Sequence, residues 1–388
     1  MKILVAHNAY HYRGGEDTLV DAELTMLAGQ GHQVYLYRRD NAELAHIHPA
    51  RAAIDTIWSL RTVDELRTVA RRFMPDIIHA HNTFPLISPS LYGIARSLHI
   101  PVVQTLHNFR LLCPQAMLVR DGQVCTDCVG RGPWRAVLHR CYRGSFAQTA
   151  VTATMLALHR IRGSWNHDVS RYIVLNRTCR DLFVAGGLPP RKLCIKPNFV
   201  ESSGTPQWVC RAGGVFIGRL SHEKGLAVLA RALHSLPGKT IDVYGTGPLQ
   251  SLVERSPGLR YCGFLASTAL RQRMQQASYL VMPSTGMESF GLAAIEAFAC
   301  GVPVIASQQG GLGELVTHKK NGLLVTPGDP TALARAIAYA DAHPHEMRRM
   351  GIDAYQTWLA HYTPERNYEL LMHIYDEALS TLPSTTSA

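Results

Sequence analysis

Two carboxylates eight residues apart, Glu288 and Glu296, stand in a stretch that reads strand, turn, helix, turn, strand from Met282 to Ser307. An apolar run, Tyr279–Met282, ends at Pro283, and a small-residue turn follows. Leu292, Ile295 and Ala299 then mark one side of a helix-compatible segment. Gly301 and Pro303 are the expected stop, and Val304-Ile305-Ala306 reads as the next buried strand. Ser289 is placed to cap the helix. Eight residues of helical rise cover about 12 Å, the reach from a sugar across a diphosphate to a ribose, and amides at a helix N-terminus favour phosphate. The other reading is a capping acid followed by a solvated helix acid.

Cations stand on neighbouring turns. Gly218-Arg219-Leu220-Ser221-His222-Glu223-Lys224-Gly225 follows a strand and precedes a helix, so Arg219 offers a forked donor and Lys224 a mobile charge, a suitable pair for a diphosphate. The order of a P-loop is missing. Gly245-Thr246-Gly247-Pro248-Leu249 lacks the third glycine and the distal acid of a dinucleotide fingerprint, which speaks against NAD. Gly310-Gly311-Leu312-Gly313-Glu314 closes the next turn. Near the start, His11-Tyr12-Arg13-Gly14-Gly15-Glu16 is either a phosphate-approaching loop or a plain tight turn. His107, in Thr105-Leu106-His107-Asn108, falls at a strand's carboxyl end, as a catalytic or a structural histidine. Cys113, Cys125, Cys128 and Cys141 have the spacing of a structural four-thiolate zinc site, the alternative being four buried thiols.

Elements that could position these groups alternate as β-α-β. Strands are predicted at Ile3–Ala6, Val34–Tyr37, Ile77–His79, Val102–Leu106 and Tyr172–Leu175, with a helix over Thr18–Ala28. A second series runs through Gly214–Gly218, Ile241–Tyr244, Leu259–Tyr261, Tyr279–Met282, Val302–Ala306 and Leu323–Val325. Parallel sheets with covered faces follow, and in such sheets ligands bind beyond the carboxyl ends of the strands. The loop-rich segment Arg110–Ser145 reads as an insertion, and Phe146–Leu158 as a core helix or one facing a lipid-linked substrate. Phe199–Gly213 reads as a linker, Pro364–Ala378 as a final helix, and Pro383–Ala388 as a polar tail. The expected division is residues 1–200, 210–362 and a helix over 363–380.

At 388 residues, 46% hydrophobic and 18% charged, the chain is a two-domain globular protein rather than a disordered one. No apolar stretch reaches a membrane span, and MKILVAHNAY is too short in its apolar run for a secretory signal, so a cytoplasmic location is expected. The net charge of +10 (39 basic against 29 acidic residues) is scattered rather than gathered in a tail. That suits a phosphorylated substrate or the anionic inner face of the cytoplasmic membrane better than nucleic acid.

The order Gly-Arg-Leu-x3-Lys-Gly from Gly218, Gly-x-Gly-Pro-Leu from Gly245, the Pro283–Ser307 stretch and Gly-Gly-x2-Glu-Leu-Val from Gly310 closely resembles glycosyltransferase family 4. In the first half the resemblance rests on Gly14-Gly15 and on Thr105–Pro114, similar to an HNxRLLCP segment that precedes a cysteine-containing loop in a bacterial subgroup. It implies an α/β GT-B fold, two Rossmann-like domains facing each other across a cleft, with the last helix crossing back. It also implies a retaining transfer from a UDP- or GDP-sugar to a glycan or lipid-linked acceptor, in surface polysaccharide assembly. By that resemblance Arg219 and Lys224 hold the donor diphosphate with Gly245 and Gly247 beside them, and amides of Ser289, Phe290, Gly291 and Leu292 meet the phosphates. Glu288 takes sugar hydroxyls and Glu296 the ribose. Gly14 and Gly15 close on the diphosphate, and His107 lies by the sugar. The family's usual His-Asp is His107-Asn108 here. No cofactor is implied for catalysis, and the chain has no Asp-x-Asp. Other GT-B chemistry, as in an epimerase or phosphorylase, and a zinc-stapled binding protein are the alternatives.

Overall fold

Each short apolar run is followed by a helical stretch that carries the chain back over the sheet, and the result is two separate, wholly parallel six-stranded sheets. The structure, a computed structural model, describes residues 1–380 apart from 12, 203, 209 and 210. Tyr12 of the first glycine turn, three linker positions and the polar tail therefore lie outside it.

The first sheet has the order β2-β1-β3-β4-β7-β8. Its strands are β1 Lys2–Ala9, β2 Gln33–Asp40, β3 Ile77–Ala80, β4 Val102–Thr105, β7 Arg171–Val174 and β8 Leu193–Ile195. A two-stranded hairpin, β5 Val119–Arg120 with β6 Gln123–Val124, lies in the stretch between β4 and β7. The second sheet has the order β11-β10-β9-β12-β13-β14. It comprises β9 Gly214–Ile217, β10 Ile241–Tyr244, β11 Leu259–Tyr261, β12 Tyr279–Met282, β13 Val304–Ser307 and β14 Gly322–Val325. Strand order reverses between β1 and β3 in one sheet and between β9 and β12 in the other. Those reversals open the crevices where α/β sheets take ligands.

Two compact units result: residues 1–117, 126–196 and those from Tyr368 on form one, and 118–125 with 197–367 the other. The β5–β6 hairpin thus belongs to the second unit, whereas the sequence reading kept all of 110–145 in the first. The last helix, Pro364–Leu379, begins in the second unit, while its residues Leu371, Ile374, Tyr375 and Ala378 share a core with Ile3, Val5, Val20 and Leu27 of the first. Strand β8 escaped the sequence reading because it is three residues long and only Leu193 is buried. Leu371 is fully buried, so Leu371→Ala should cost the first unit about 2–5 kcal/mol. The check is a lowered urea midpoint.

Candidate active site

At the β9/β12 reversal the backbone sets two cations against two carboxylates. The loop after β9 folds its short 3-10 turn, His222–Lys224, against the loop after β12, with the amides of Thr285 and Gly286 both donating to the Glu223 carbonyl at 2.9 and 3.0 Å. That contact brings Lys224 Nζ onto Glu288 Oε1 as an ion pair, and Ser284 Oγ donates to the same oxygen at 3.0 Å. Arg219 is exposed and pairs with Glu223 Oε1 at 2.6 Å, which Ser221 Oγ also reaches at 2.6 Å. Burial works against the Glu223 charge, yet the bonds from Ser221, its own backbone and Arg219 hold its carboxyl below the ordinary range. Ser221, Glu223 and Ser284 were not singled out from sequence. Their signal was position alone, each on a turn at the carboxyl edge.

The helix after β12 is shorter than its pattern suggested. It runs Leu292–Ala299, its N-cap is Gly291 at φ 102°, and no side chain caps it. Ser289 is therefore not the cap, and Glu288 stands four residues ahead of the first helical turn. The 12 Å helical ruler between the two acids does not apply. Phe290 between them is buried. Gly311 donates to the Glu288 carbonyl at 2.8 Å, so the loop after β13 braces that residue's backbone. Glu296 stays on the helix, half-buried, with no side-chain partner for its carboxylate among the described residues. Desolvation raises it to about 7, offset only in part by Arg271.

Gly245 and Gly247 have a reason inside the fold. An added Cβ at Gly245 would meet the Gly218 carbonyl at 1.9 Å, and one at Gly247 the Leu220 carbonyl at 2.4 Å, both at φ near +150° (145° and 154°). Only glycine lets the loops after β9 and β10 lie backbone on backbone.

In the first unit His107 follows β4 directly after Leu106, half-buried, with its Nε2 2.9 Å from His81 Nδ1. Asn108 makes a turn: its Oδ1 accepts from the Arg110 amide at 3.0 Å, and its Nδ2 donates to Tyr10 Oη at 3.3 Å. Tyr10 in turn donates to Glu16 Oε2 at 2.9 Å, and burial lifts Glu16 to about 7. Gly14 caps the first helix, Gly15–Gly29, and its amide bonds Asp17 Oδ2 at 2.9 Å. Asp17 also meets His7 Nε2 at 2.9 Å. Behind them lie Glu23, His79, His81 and Lys196, all buried. The sequence reading passed over that group, although His79-Ala80-His81 at the end of an apolar strand was a visible polar interruption.

Two family profiles match the chain: Glycosyltransferase Family 4 over residues 13–203 and Glycosyl transferases group 1 over 212–340. A protein named for teichuronic acid biosynthesis, TuaC of Bacillus subtilis, is 32% identical over 91% of this chain and 82% of its own length. The chain belongs to glycosyltransferase family 4. A glycogen synthase of Mycobacterium tuberculosis is 36% identical over 69% of this chain, and the match spans 60% of that relative's length. Among solved structures, sucrose-phosphate synthase from Thermosynechococcus elongatus superposes with a TM-score of 0.73 at 19% identity, covering 98% of this chain and 99% of that one. HepE from Anabaena, solved with UDP-glucose, gives 0.66 at 19% identity, covering 97% and 100%. The fold is GT-B.

Among the described residues, Glu23, His79 and His81 are the one group of three possible metal ligands whose atoms lie within 4.8 Å of one another. Of the four cysteines of the expected zinc site, Cys125 is grouped with the second unit and Cys113, Cys128 and Cys141 with the first. The segment makes turns such as Cys113 N–H to Phe109 O at 2.9 Å and Cys141 N–H to Ala136 O at 3.0 Å. A groove of about 800 Å³ runs along β10 from Thr240 to Tyr244, lined also by Gly214, Arg260 and Arg273. No described helix is long and apolar enough to cross a membrane.

Glu296 supplies a pH test. Its carboxyl is raised from 4.5 to about 7 in the folded chain. Charging it therefore costs stability that is absent at low pH, grows between those values and is complete above about 7. Glu296→Gln should gain about 1–3 kcal/mol near pH 8 and nothing near pH 4. Denaturant melts at the two pH values check it.

Proposed function

We propose that this chain is a retaining glycosyltransferase that moves a hexose-type sugar from a nucleotide-diphosphate sugar to a hydroxyl of a glycan or lipid-linked glycan. The observation that carries the reading is the set Arg219, Lys224, Glu288 and Glu296 at one sheet reversal of the second unit. Two cations suit a diphosphate, and a carboxylate that no described side chain hydrogen-bonds suits a vicinal pair of ribose hydroxyls. A UDP-glucose complex of a fold neighbour supports the donor class, and a relative named for teichuronic acid biosynthesis supports a surface-polysaccharide acceptor.

In the step itself the anomeric C–O bond to the diphosphate breaks, and a bond to the acceptor oxygen forms on the same face. The acceptor's proton passes to a departing diphosphate oxygen. Negative charge grows on that diphosphate, and Arg219 and Lys224 answer it as they leave Glu223 and Glu288. Glu288, released from Lys224, takes sugar hydroxyls. By the family resemblance, His107 is assigned to the sugar and Gly14-Gly15 to the diphosphate.

The first unit also offers a surface for an acceptor at an anionic membrane. Trp134 and Leu138, one helical turn apart, are 55% and 79% exposed. Phe146 and Ile161, at either end of the Phe146–Arg162 helix, are 58% and 86% exposed. Arg135, Arg140 and Arg143 beside them are exposed too. That helix buries Thr149, Ala153 and Leu156, so it is a core helix with an apolar outer edge.

Lys224→Ala and Glu288→Gln should each lower turnover at least about 100-fold with the fold intact, read as acceptor-dependent nucleotide release from UDP- and GDP-sugars. Release that needs no acceptor would favour an epimerase instead. Thermal stabilisation by UDP, GDP and ADP, compared side by side, names the base. For the membrane face, sedimentation should show binding to vesicles containing phosphatidylglycerol, lost in Trp134→Ser/Leu138→Ser and absent on neutral vesicles. Equal binding to both would count against it.

A further inference from the structure

The buried histidines of the first unit form an ordered chain, and its order fixes protons. Glu23, on the first helix, is 2% exposed. Its Oε2 lies 3.4 Å from Lys196 Nζ, and its Oε1 lies 2.9 Å from His79 Nδ1 and 3.2 Å from His81 Nε2. Burial opposes its charge, but His79, Lys196 and His81 together hold the carboxyl well below its ordinary range, so it is ionised. Oε1 and His81 Nε2 sit at ion-pair distance without hydrogen-bond alignment. Even so, a bare nitrogen lone pair facing a carboxylate at that distance is repelled, whereas an N–H is attracted. His81 therefore carries its proton on Nε2.

Burial holds His81 at about 4, so it has one proton only, and its Nδ1 is an acceptor. The ring of His107 lies within 13° of the His81 plane, with Nε2 2.9 Å from that Nδ1. Two acceptors cannot share that line, so His107 must donate through Nε2–H. Burial and the neighbouring His81 also push His107 well down, against the pull of Glu23, while His7 and Lys196 push the same way. One proton is then all it holds, and Nδ1 is bare.

We propose that Glu23 and His81 are positioning residues that lock His107 in the Nε2–H tautomer and so make its Nδ1 a pure hydrogen-bond acceptor for a substrate hydroxyl. This rests on the sugar-facing role given to His107 above. A locked acceptor orients a hydroxyl and cannot protonate a leaving diphosphate. Glu23, His79 and His81 also have the spacing of a cation site. The Lys196 ammonium already supplies the positive charge there, and it would repel a divalent ion.

The test is a two-bond proton–nitrogen spectrum of the full-length chain with labelled histidine, which needs no turnover. His107, assigned by the signal lost in His107→Gln, should show the Nε2–H pattern and stay neutral well below the ordinary histidine range. His81→Phe should free it to sample both tautomers, with kcat/KM for the donor falling roughly tenfold. Glu23→Gln alone strands Lys196, so Glu23→Gln/Lys196→Met, which removes both charges, is the companion variant and should release His107 in the same way. An Nδ1–H pattern in the wild type overturns the proposal. So does an unchanged His107 signal in both variants, or a stoichiometric chelatable metal that shifts His79 and His81. Should the spectra come out as expected while His107→Gln transfers sugar normally, the functional role of His107 fails and the tautomer lock stands.

Discussion

A carboxylate taken out of water has to be answered where it stands, and Glu23 is answered from three directions. Lys196 comes from beyond β8, His79 from β3 and His81 from the turn after it, all within 3.4 Å. Leaving one such charge unanswered costs about 3–5 kcal/mol, so the first helix, β3 and β8 are not free to shift independently. Tyr375 of the last helix closes the group through His79 Nδ1 at 2.7 Å. The returning helix is thereby tied to the polar cluster as well as to the apolar core. His107 is tied to the same group through His81 at 2.9 Å.

The second unit handles charge the opposite way, keeping it near water and exchangeable. Arg219 and Glu223 are 59% and 15% exposed along their side chains, and Lys224 and Glu288 26% and 13%. Pairs this exposed are worth about 1 kcal/mol or less, so under the proposed reading the cations leave their carboxylates at little cost. Glu296 is the exception: it is desolvated, Arg271 offsets this only in part, and no described side chain hydrogen-bonds its carboxylate.

Most of the scaffold was legible because strands buried on both faces are written as unbroken apolar runs, as in Ile3–Ala6 and Tyr279–Met282. What failed had physical causes. A serine before a helical pattern is a cap only if the chain enters the helix there, and Gly291 in the left-handed region moved the entry by two residues. The bounds of the insertion were misplaced because the β5–β6 hairpin, too short to give a periodic signal, is grouped with the second unit. The buried ion group was missed because its members come from distant stretches, and a lone histidine or glutamate gives no periodic signal.

Glycines in the loops looked alike in the sequence, each a possible phosphate seat, and the structure divides them. At Gly245 a Cβ would sit 1.9 Å from a carbonyl, so the fold itself requires glycine and a ligand need not be invoked. At Gly14 the backbone is extended at φ −122°, and the nearest atom to an added Cβ is 4.0 Å away. Among the described residues nothing crowds an added side chain there, so the fold does not require glycine at Gly14 as it does at Gly245.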